Sequence, residues 1–266
     1  MQYLFNHLKK LHVKFEGRTT LLFLDYDGTI SPIRKTPAAA KIQPEVRGLL
    51  RKIAKLEDVK TAIISGRSLK DIRNMVKISG IHYAGNHGLE IEGPCIKMAN
   101  KVGGKTIKAI REFEKLLKRK LGKIQGIIFE NKGPTLSIHF RTARAGQIPT
   151  IKKTISEVSK IRLGKSALKL EWGKMVAEIK PRLNWNKGHA VSLLIKKFSG
   201  RNAQKPSYPT YIGDDTTDEN AFKLLRNKGL TIFVGKPSKR FSSRYFLNNT
   251  REVYNFLKWV YKVKSL

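Results

Sequence analysis

Short apolar runs that stop at a polar turn and give way to a helical stretch recur along this chain, and that alternation limits its fold more than any other feature. Residues 20–24 run into Asp25 and the turn pair Asp27-Gly28, residues 61–64 into Ser65-Gly66-Arg67, and residues 81–84 into GNHGLEIEG. Further on, residues 208–212 end in GDDTTDE and residues 230–234 end at Gly235. Between these runs, residues 46–56, 68–77, 186–198 and 218–226 place apolar side chains at helical spacing. A last helix, with Thr250 as its expected cap, carries Val253, Phe256, Leu257, Val260 and Tyr261 on its apolar side. Buried strands alternating with helices imply an α/β fold around a parallel, Rossmann-like sheet.

The texture changes after about Gly93. Residues 105–121 form a strongly charged helical stretch, followed by strand-like runs at 126–130 and 135–141 joined by NKGP. Residues 147–161 are helical again, and 167–171 with 175–180 read as a hairpin around Trp172-Gly173. Helix, hairpin, helix, hairpin is the pattern of a small α+β unit. The expected organisation is a core made of residues 1–95 and 185–266 with residues 96–184 inserted into it.

A chain of 266 residues, 40% of them hydrophobic, can bury a sizeable core. Its single cysteine, Cys95, excludes an internal disulfide framework and is expected to be a buried thiol in a reducing compartment. The N-terminal stretch pairs Leu4, Leu8 and Leu11 with Lys9, Lys10 and Lys14, a surface helix in pattern and not a secretory signal. No run reaches the roughly 20 apolar residues of a membrane span, so a cytoplasmic protein is expected. The charge is the unusual quantity: 54 Lys and Arg against 20 Asp and Glu give a formal +34. Such a field attracts phosphorylated substrates and polyanions. Because the cations are spread along the chain and no nucleic-acid motif is present, the sequence favours a solvated cationic surface over a nucleic-acid site.

Polar groups collect at the carboxyl ends of the expected strands: Asp25 and Asp27, then Ser65, then Asp214, Asp215 and Asp218. In an open parallel sheet such ends converge. Clustered carboxylates suit Mg²⁺, which takes one or two of them and keeps waters that a phosphate displaces. A carboxylate can also attack phosphorus while a second acid protonates the leaving oxygen and later activates water. Asp25 and Asp27, two apart at a strand end, point the same way and suit that division. Lys187, in NWNKGHA, offers a fixed positive charge, and Ser65 with the Gly66 amide offers neutral donors to a phosphate.

DYDGT at 25–29, ISGR at 64–67, the NKG lysine at 187 and GDDTTDE at 213–219 resemble the four motifs of haloacid dehalogenase (HAD) superfamily phosphatases. More narrowly, LDYDGTISPI, AGNHGLEIEG, ENKGPTLSIHFR and IGDDTTDENAF resemble trehalose-6-phosphate phosphatases, whose α/β cap is inserted between the second and third motifs. The resemblance implies Asp25 as nucleophile, Asp27 as general acid and base, and Lys187 as the charge-balancing lysine. Ser65, Gly66 and Arg67 would bind the phosphate. It implies Mg²⁺ held by the Asp25 carboxylate, the Asp27 main-chain carbonyl and Asp214, with Asp215 and Asp218 as a further ligand or as partners of the ligands. In the cap, Glu130, Lys132, His139, Arg141 and Glu178 stand where sugar-recognising residues are expected. The implied substrate is trehalose 6-phosphate, and a trehalose-6-phosphate synthase is the implied partner.

Plainer readings stand beside these. Ser65 alone could cap a helix. Asn86, His87 and Glu90 either line the mouth of the site or hold a turn, and Arg67 is expected in a mixed role, binding substrate and pinning a neighbouring carboxylate. His139 could face solvent, Lys132 could be a turn lysine, and His189 is expected at the surface or in packing. The same chemistry could serve another sugar or polyol phosphate, such as a sucrose-, glucosylglycerol- or mannosylglycerate-type ester. From another class, the +34 would suit a polyanion-binding scaffold whose phosphatase site is vestigial.

Overall fold

A computed structural model describes residues 1–94, 96–100, 102–163, 167–200 and 205–265, so Cys95 lies outside the described residues. The chain divides into two units, one of Met1–Ile33, Ala40–Ala99 and Trp185–Leu266, the other of Arg34–Ala39 and Asn100–Asn184.

The first unit opens with strand β1 (Gln2–Tyr3), helix α1 (Leu8–Phe15), β2 (Thr19–Leu24), α2 (Pro44–Ile53), β3 (Val59–Ile64) and α3 (Leu69–Val76). Strands β4 (His82–Gly85), β5 (Glu90–Gly93) and β6 (Ile96–Ala99) follow. The second unit contains α4 (Gly104–Leu121), β7 (Ile128–Asn131), β8 (Leu136–His139), α5 (Ile148–Leu163), β9 (Leu168–Gly173) and β10 (Val176–Pro181). The chain then re-enters the first unit as α6 (Lys187–Phe198), β11 (Ser207–Gly213), α7 (Glu219–Leu225), β12 (Leu230–Val234), β13 (Tyr245–Leu247) and α8 (Thr250–Lys264).

The core sheet has the order β1-β13-β12-β11-β2-β3-β4-β5-β6, parallel from β1 through β4 and antiparallel across β5 and β6. The chain winds from β2 toward β4 in one direction and from β11 toward β13 in the other. The order therefore reverses where β2 meets β11, the crevice in which doubly wound sheets bind ligands. Strand β2 can be almost wholly apolar because both its faces are covered. Leu22 and Leu24 pack with Phe15, Leu50 and Phe256 of α1, α2 and α8, while Leu21 and Phe23 pack with Val191 and Phe222 of α6 and α7. The short strands β1 and β13 and the hairpin β5–β6 were not anticipated. Ile96–Ala99 pairs with β5 in the core sheet. The last helix is capped by Asn249, whose side chain accepts from the amides of Arg251 and Glu252, and Thr250, the expected cap, is the first helical residue.

The second unit is a four-stranded sheet of order β7-β8-β10-β9, antiparallel throughout. Helices α4 and α5 cover one face, where Ile110, Phe113, Leu117, Ile151 and Ile155 meet Leu136, Ile138, Ala177 and Ile179. Register places Glu130, Ser137, Glu178 and Glu171 in one row on the alternate positions. Among the described residues, no helix is long and apolar enough to cross a membrane.

Candidate active site

The reversal point brings the acidic motifs together through backbone bonding alone. Leu24 lies opposite Ile212 in the ladder, and the Asp25 amide donates to the Ile212 carbonyl at 2.9 Å. Asp25 thus leaves β2 beside the end of β11, where Asp214 begins its loop. The Asp25, Asp214 and Asp218 carboxylates are all buried, and each has an oxygen within 4.8 Å of the others.

Lys187, the first residue of α6, enters this cluster. Asn186 caps the helix by accepting from the His189 amide, which fixes where α6 starts and hence where Lys187 points. The Lys187 ammonium donates to Asp25 Oδ1 at 2.6 Å and to Asp218 Oδ1 at 2.7 Å. Burial works against its charge, but Asp218 and Asp25 more than offset this and hold its pKa well above the ordinary lysine value.

Asp218 is a hub. Its Oδ1 accepts from Lys187 and from the buried Tyr211 hydroxyl at 2.7 Å, and its Oδ2 accepts from the main-chain amides of Asp214 and Asp215 at 3.0 and 2.9 Å. With four donors on two oxygens, Asp218 is a positioning residue and not a free ligand. Asp215 is turned to its own loop, where Oδ1 accepts from the Thr216 amide at 2.8 Å. That leaves Asp25 and Asp214 as the carboxylates suited to a metal.

The donor set fits a divalent cation. Asp25 and Asp218 take the Lys187 ammonium, and Asp214 completes a buried cluster of three carboxylates beside that one cation. Burial pushes the Asp25 carboxyl well above its usual range; Lys187 opposes this, while Asp218 and Asp214 add to it. A second cation would relieve that crowding. Gly28 makes room for Asp214: its φ is +87°, and a Cβ there would lie 2.3 Å from Asp214 Oδ2. The hard oxygens match Mg²⁺.

Asp27 is held apart from this cluster by Arg67. The buried guanidinium donates from Nε to Asp27 Oδ2 and from Nη2 to Oδ1, both at 2.7 Å, and lies 5.4 Å from the centre of the Tyr26 ring. Arg67 thus pins Asp27, which is one half of its expected mixed role. The Ser65 hydroxyl accepts from the Arg67 amide at 3.1 Å, and the cap of α3 is Ser68. Beneath this loop, the Asn86 amide donates to the Arg67 carbonyl at 2.7 Å and the His87 amide to the Ser65 carbonyl at 2.9 Å. Asn86, His87 and Gly88 all have positive φ, an unusual run that braces the 65–67 loop. A Cβ on Gly66 would lie 2.8 Å from the His87 ring, so that position accepts only glycine without a shift. The Asn86 side chain donates to Glu90 at 2.6 Å, and His189 stacks on Trp185.

In the second unit, the row Glu130, Ser137, Glu178 and Glu171 becomes a face of paired charges. His139 Nε2 lies 2.7 Å from Glu130 Oε2, and Lys132, 6% exposed, pairs with Glu178 at 3.3 Å. Neither His139 nor Lys132 is a plain surface residue. Arg141, two residues beyond the end of β8, donates to the Lys174 carbonyl at 2.9 Å. Sequence reasoning missed Glu171, which pairs with Lys169 at 2.8 Å and with Lys180. It also missed Thr29, whose hydroxyl donates to Asp25 Oδ2 at 3.3 Å, and Tyr211. A hydroxyl inside the otherwise apolar run YIG was the available signal for Tyr211.

Comparisons with known proteins agree with this geometry. The family model for trehalose-phosphatase matches residues 23–251. Trehalose-phosphate phosphatase B of Arabidopsis thaliana is 37% identical over 91% of this chain and 66% of its own length. Trehalose 6-phosphate phosphatase RA3 of Zea mays is 36% identical over 91% of this chain and 70% of its own. The chain thus spans about two-thirds of these curated relatives. The trehalose-6-phosphate phosphatase C-terminal domain of C. albicans superposes with a TM-score of 0.84 at 23% identity, covering 98% of each chain, which shows a shared fold. With the acidic strand ends, the buried lysine and the separate antiparallel unit all falling inside or beside the matched span, this chain belongs to the trehalose-phosphatase family.

Proposed function

We propose that this chain hydrolyses trehalose 6-phosphate to trehalose and inorganic phosphate through a phosphorylated Asp25. The observation that carries the reading is the buried Asp25–Lys187 pair beside Asp214 at the reversal point of the sheet. Mg²⁺ would be held by the carboxylates of Asp25 and Asp214 and the main-chain carbonyl of Asp27, and when bound it supplies neutralisation of phosphoryl charge.

An Asp25 oxygen attacks phosphorus while the bond from phosphorus to the sugar oxygen breaks and Asp27, as its acid, protonates that oxygen. Water then attacks the phosphorus of the acyl phosphate and gives a proton to Asp27, and the bond to Asp25 breaks to restore the carboxylate and release phosphate. To start the cycle, Asp27 must leave Arg67 and take up a proton as substrate enters. Arg67, Ser65 and the Gly66 amide then face the phosphate. Lys187 favours the ionised form of Asp25 against the burial that opposes it, and bound Mg²⁺ would add to that effect. Glu130, Lys132 and Glu178 recognise sugar hydroxyls, since paired carboxylate and ammonium groups both accept from and donate to a polyol. His139 orients Glu130, and a trehalose-6-phosphate synthase is the class of enzyme that supplies the substrate.

Phosphate release should be measured with Mg²⁺ from trehalose 6-phosphate, sucrose 6-phosphate, glucose 6-phosphate and an aryl phosphate. The reading expects selective release from the first, lost on chelation and reduced at least ~10³-fold in Asp25→Asn. Preference for another ester would discard the substrate and keep the mechanism. Undiminished turnover by Asp25→Asn would discard the nucleophile.

A further inference from the structure

The net charge is unevenly divided between the two units. Residues 34–39 and 100–184 carry 23 lysines and arginines against 6 aspartates and glutamates, a balance of +17 and half of the total +34. Four of those six acids are already engaged: Glu114 with Lys118, Glu130 with His139, Glu171 with Lys169 and Lys180, and Glu178 with Lys132. What the linear sequence spreads out, the fold gathers. Helices α4 and α5 share the core beneath them, and between them they expose eleven lysines and arginines and only two acids, Glu112 and Glu157. This surface lies on the opposite side of its sheet from the Glu130–Glu178 row.

We propose that the outer surface of α4 and α5 docks the phosphate backbone of duplex nucleic acid without regard to base sequence. Three observations select this occupant. A protein partner would need an apolar or aromatic anchor at the centre of the interface, and an inserted lipid surface would need an apolar face. Among the described residues, Ile161, 80% exposed, is the one large apolar side chain these helices offer. Base reading in single strands uses aromatic stacking, and the single aromatic residue of the two helices, Phe113, is buried. Lysines and arginines on a rigid surface suffice for backbone contacts, which are electrostatic and independent of sequence. Helix α4, with 18 residues, is about 27 Å long, and a duplex laid along it presents about sixteen phosphates. Lys108, Lys115 and Arg119 fall on its outward stripe, with Lys153 and Lys160 on that of α5. The proposal stands apart from the phosphatase reading, since none of these residues belongs to the acidic site.

The test uses the full chain and a fluorescently labelled duplex of about 20 base pairs, with affinity followed by anisotropy between about 0.05 and 0.2 M salt. One variant reverses the proposed face: Lys108→Glu, Lys115→Glu, Arg119→Glu, Lys153→Glu and Lys160→Glu. A second reverses five exposed cations of the other unit: Lys9→Glu, Lys10→Glu, Lys14→Glu, Lys258→Glu and Lys262→Glu. The first should bind at least ~30-fold more weakly, with the slope of log affinity on log salt reduced by about four, while the second changes less than about threefold. Equal losses in both, or none in the first, would overturn the proposal. So would tighter face-dependent binding of poly-glutamate or of phosphatidylserine vesicles than of the duplex. Circular dichroism and aryl phosphate hydrolysis report whether each variant is folded; if reversal prevents folding, glutamine at the same five positions carries the same slope test.

Discussion

Tyr211 gives the sharpest test of how the acidic site is held. Its hydroxyl is one of four donors on Asp218, and burial, reinforced by Asp218, raises its pKa well above the ordinary tyrosine value, so it remains a donor. Tyr211→Phe leaves Asp218 Oδ1 with Lys187 alone. The expected cost is about 1.5–3 kcal/mol, read from urea unfolding, together with a fall in kcat larger than any change in KM. Gly28→Ala probes the proposed Mg²⁺ site. The new Cβ meets the Asp214 carboxylate at 2.3 Å on a backbone of φ +87°, so calorimetry should show Mg²⁺ binding weakened at least tenfold. Unchanged affinity would remove Asp214 from the ligand set. At this scale the sequence was informative where chemistry demands a charged group. Asp25, Lys187 and Asp214 were legible because apolar strands and a helix start rarely end in buried charges without cause. Tyr211, Thr29 and the pairing of Arg67 with Asp27 were not, because a hydroxyl or guanidinium declares its partner only once the chain has been folded around it.

Among the elements, the β7–β10 sheet shows how register builds a polar surface. Glu130, Ser137, Glu178 and Glu171 share a row because neighbouring strands put every second residue on one face. Burial raises the pKa of Glu171, but hydrogen bonds from Lys169 and Lys180 outweigh it, and the folded value lies below the ordinary 4.5. A carboxyl whose pKa is lowered on folding adds stability above its unfolded pKa and loses it as pH falls through the folded value. Glu171→Gln should therefore lower the melting temperature at pH 7, and the difference from the parent should close in titrations taken below pH 4.5. A constant difference across that range would assign the effect to packing. Long periodic elements such as α4 were readable within a residue or two, and β2, β3 and β12 were readable as uninterrupted apolar runs. The strands β1 and β13, two and three residues long, leave no period to read. The β5–β6 hairpin was hidden because its pairing with β4, and not its own composition, makes it part of the core sheet.

For the molecule as a whole, the two units have separate cores: Leu24, Ile63 and Phe256 belong to one, and Phe113, Ile138 and Ile155 to another. Unfolding by denaturant should therefore show two transitions, with a fragment of residues 100–184 reproducing one of them; a single coincident transition for all probes would show that the units fold as one. The adjacency of β2 and β11 also has a meaning in time. On the ribosome, Asp214 follows Asp25 by 189 positions, about 10–40 s of synthesis, and the whole second unit is made in between. Until then the end of β2 has no β11 beside it, so a polypeptide truncated anywhere before β11 lacks the Asp214 and Asp218 carboxylates that complete the buried cluster. Assembly of the buried acidic cluster therefore waits on β11, and the proposed activity would begin only once that strand and its loop have joined β2.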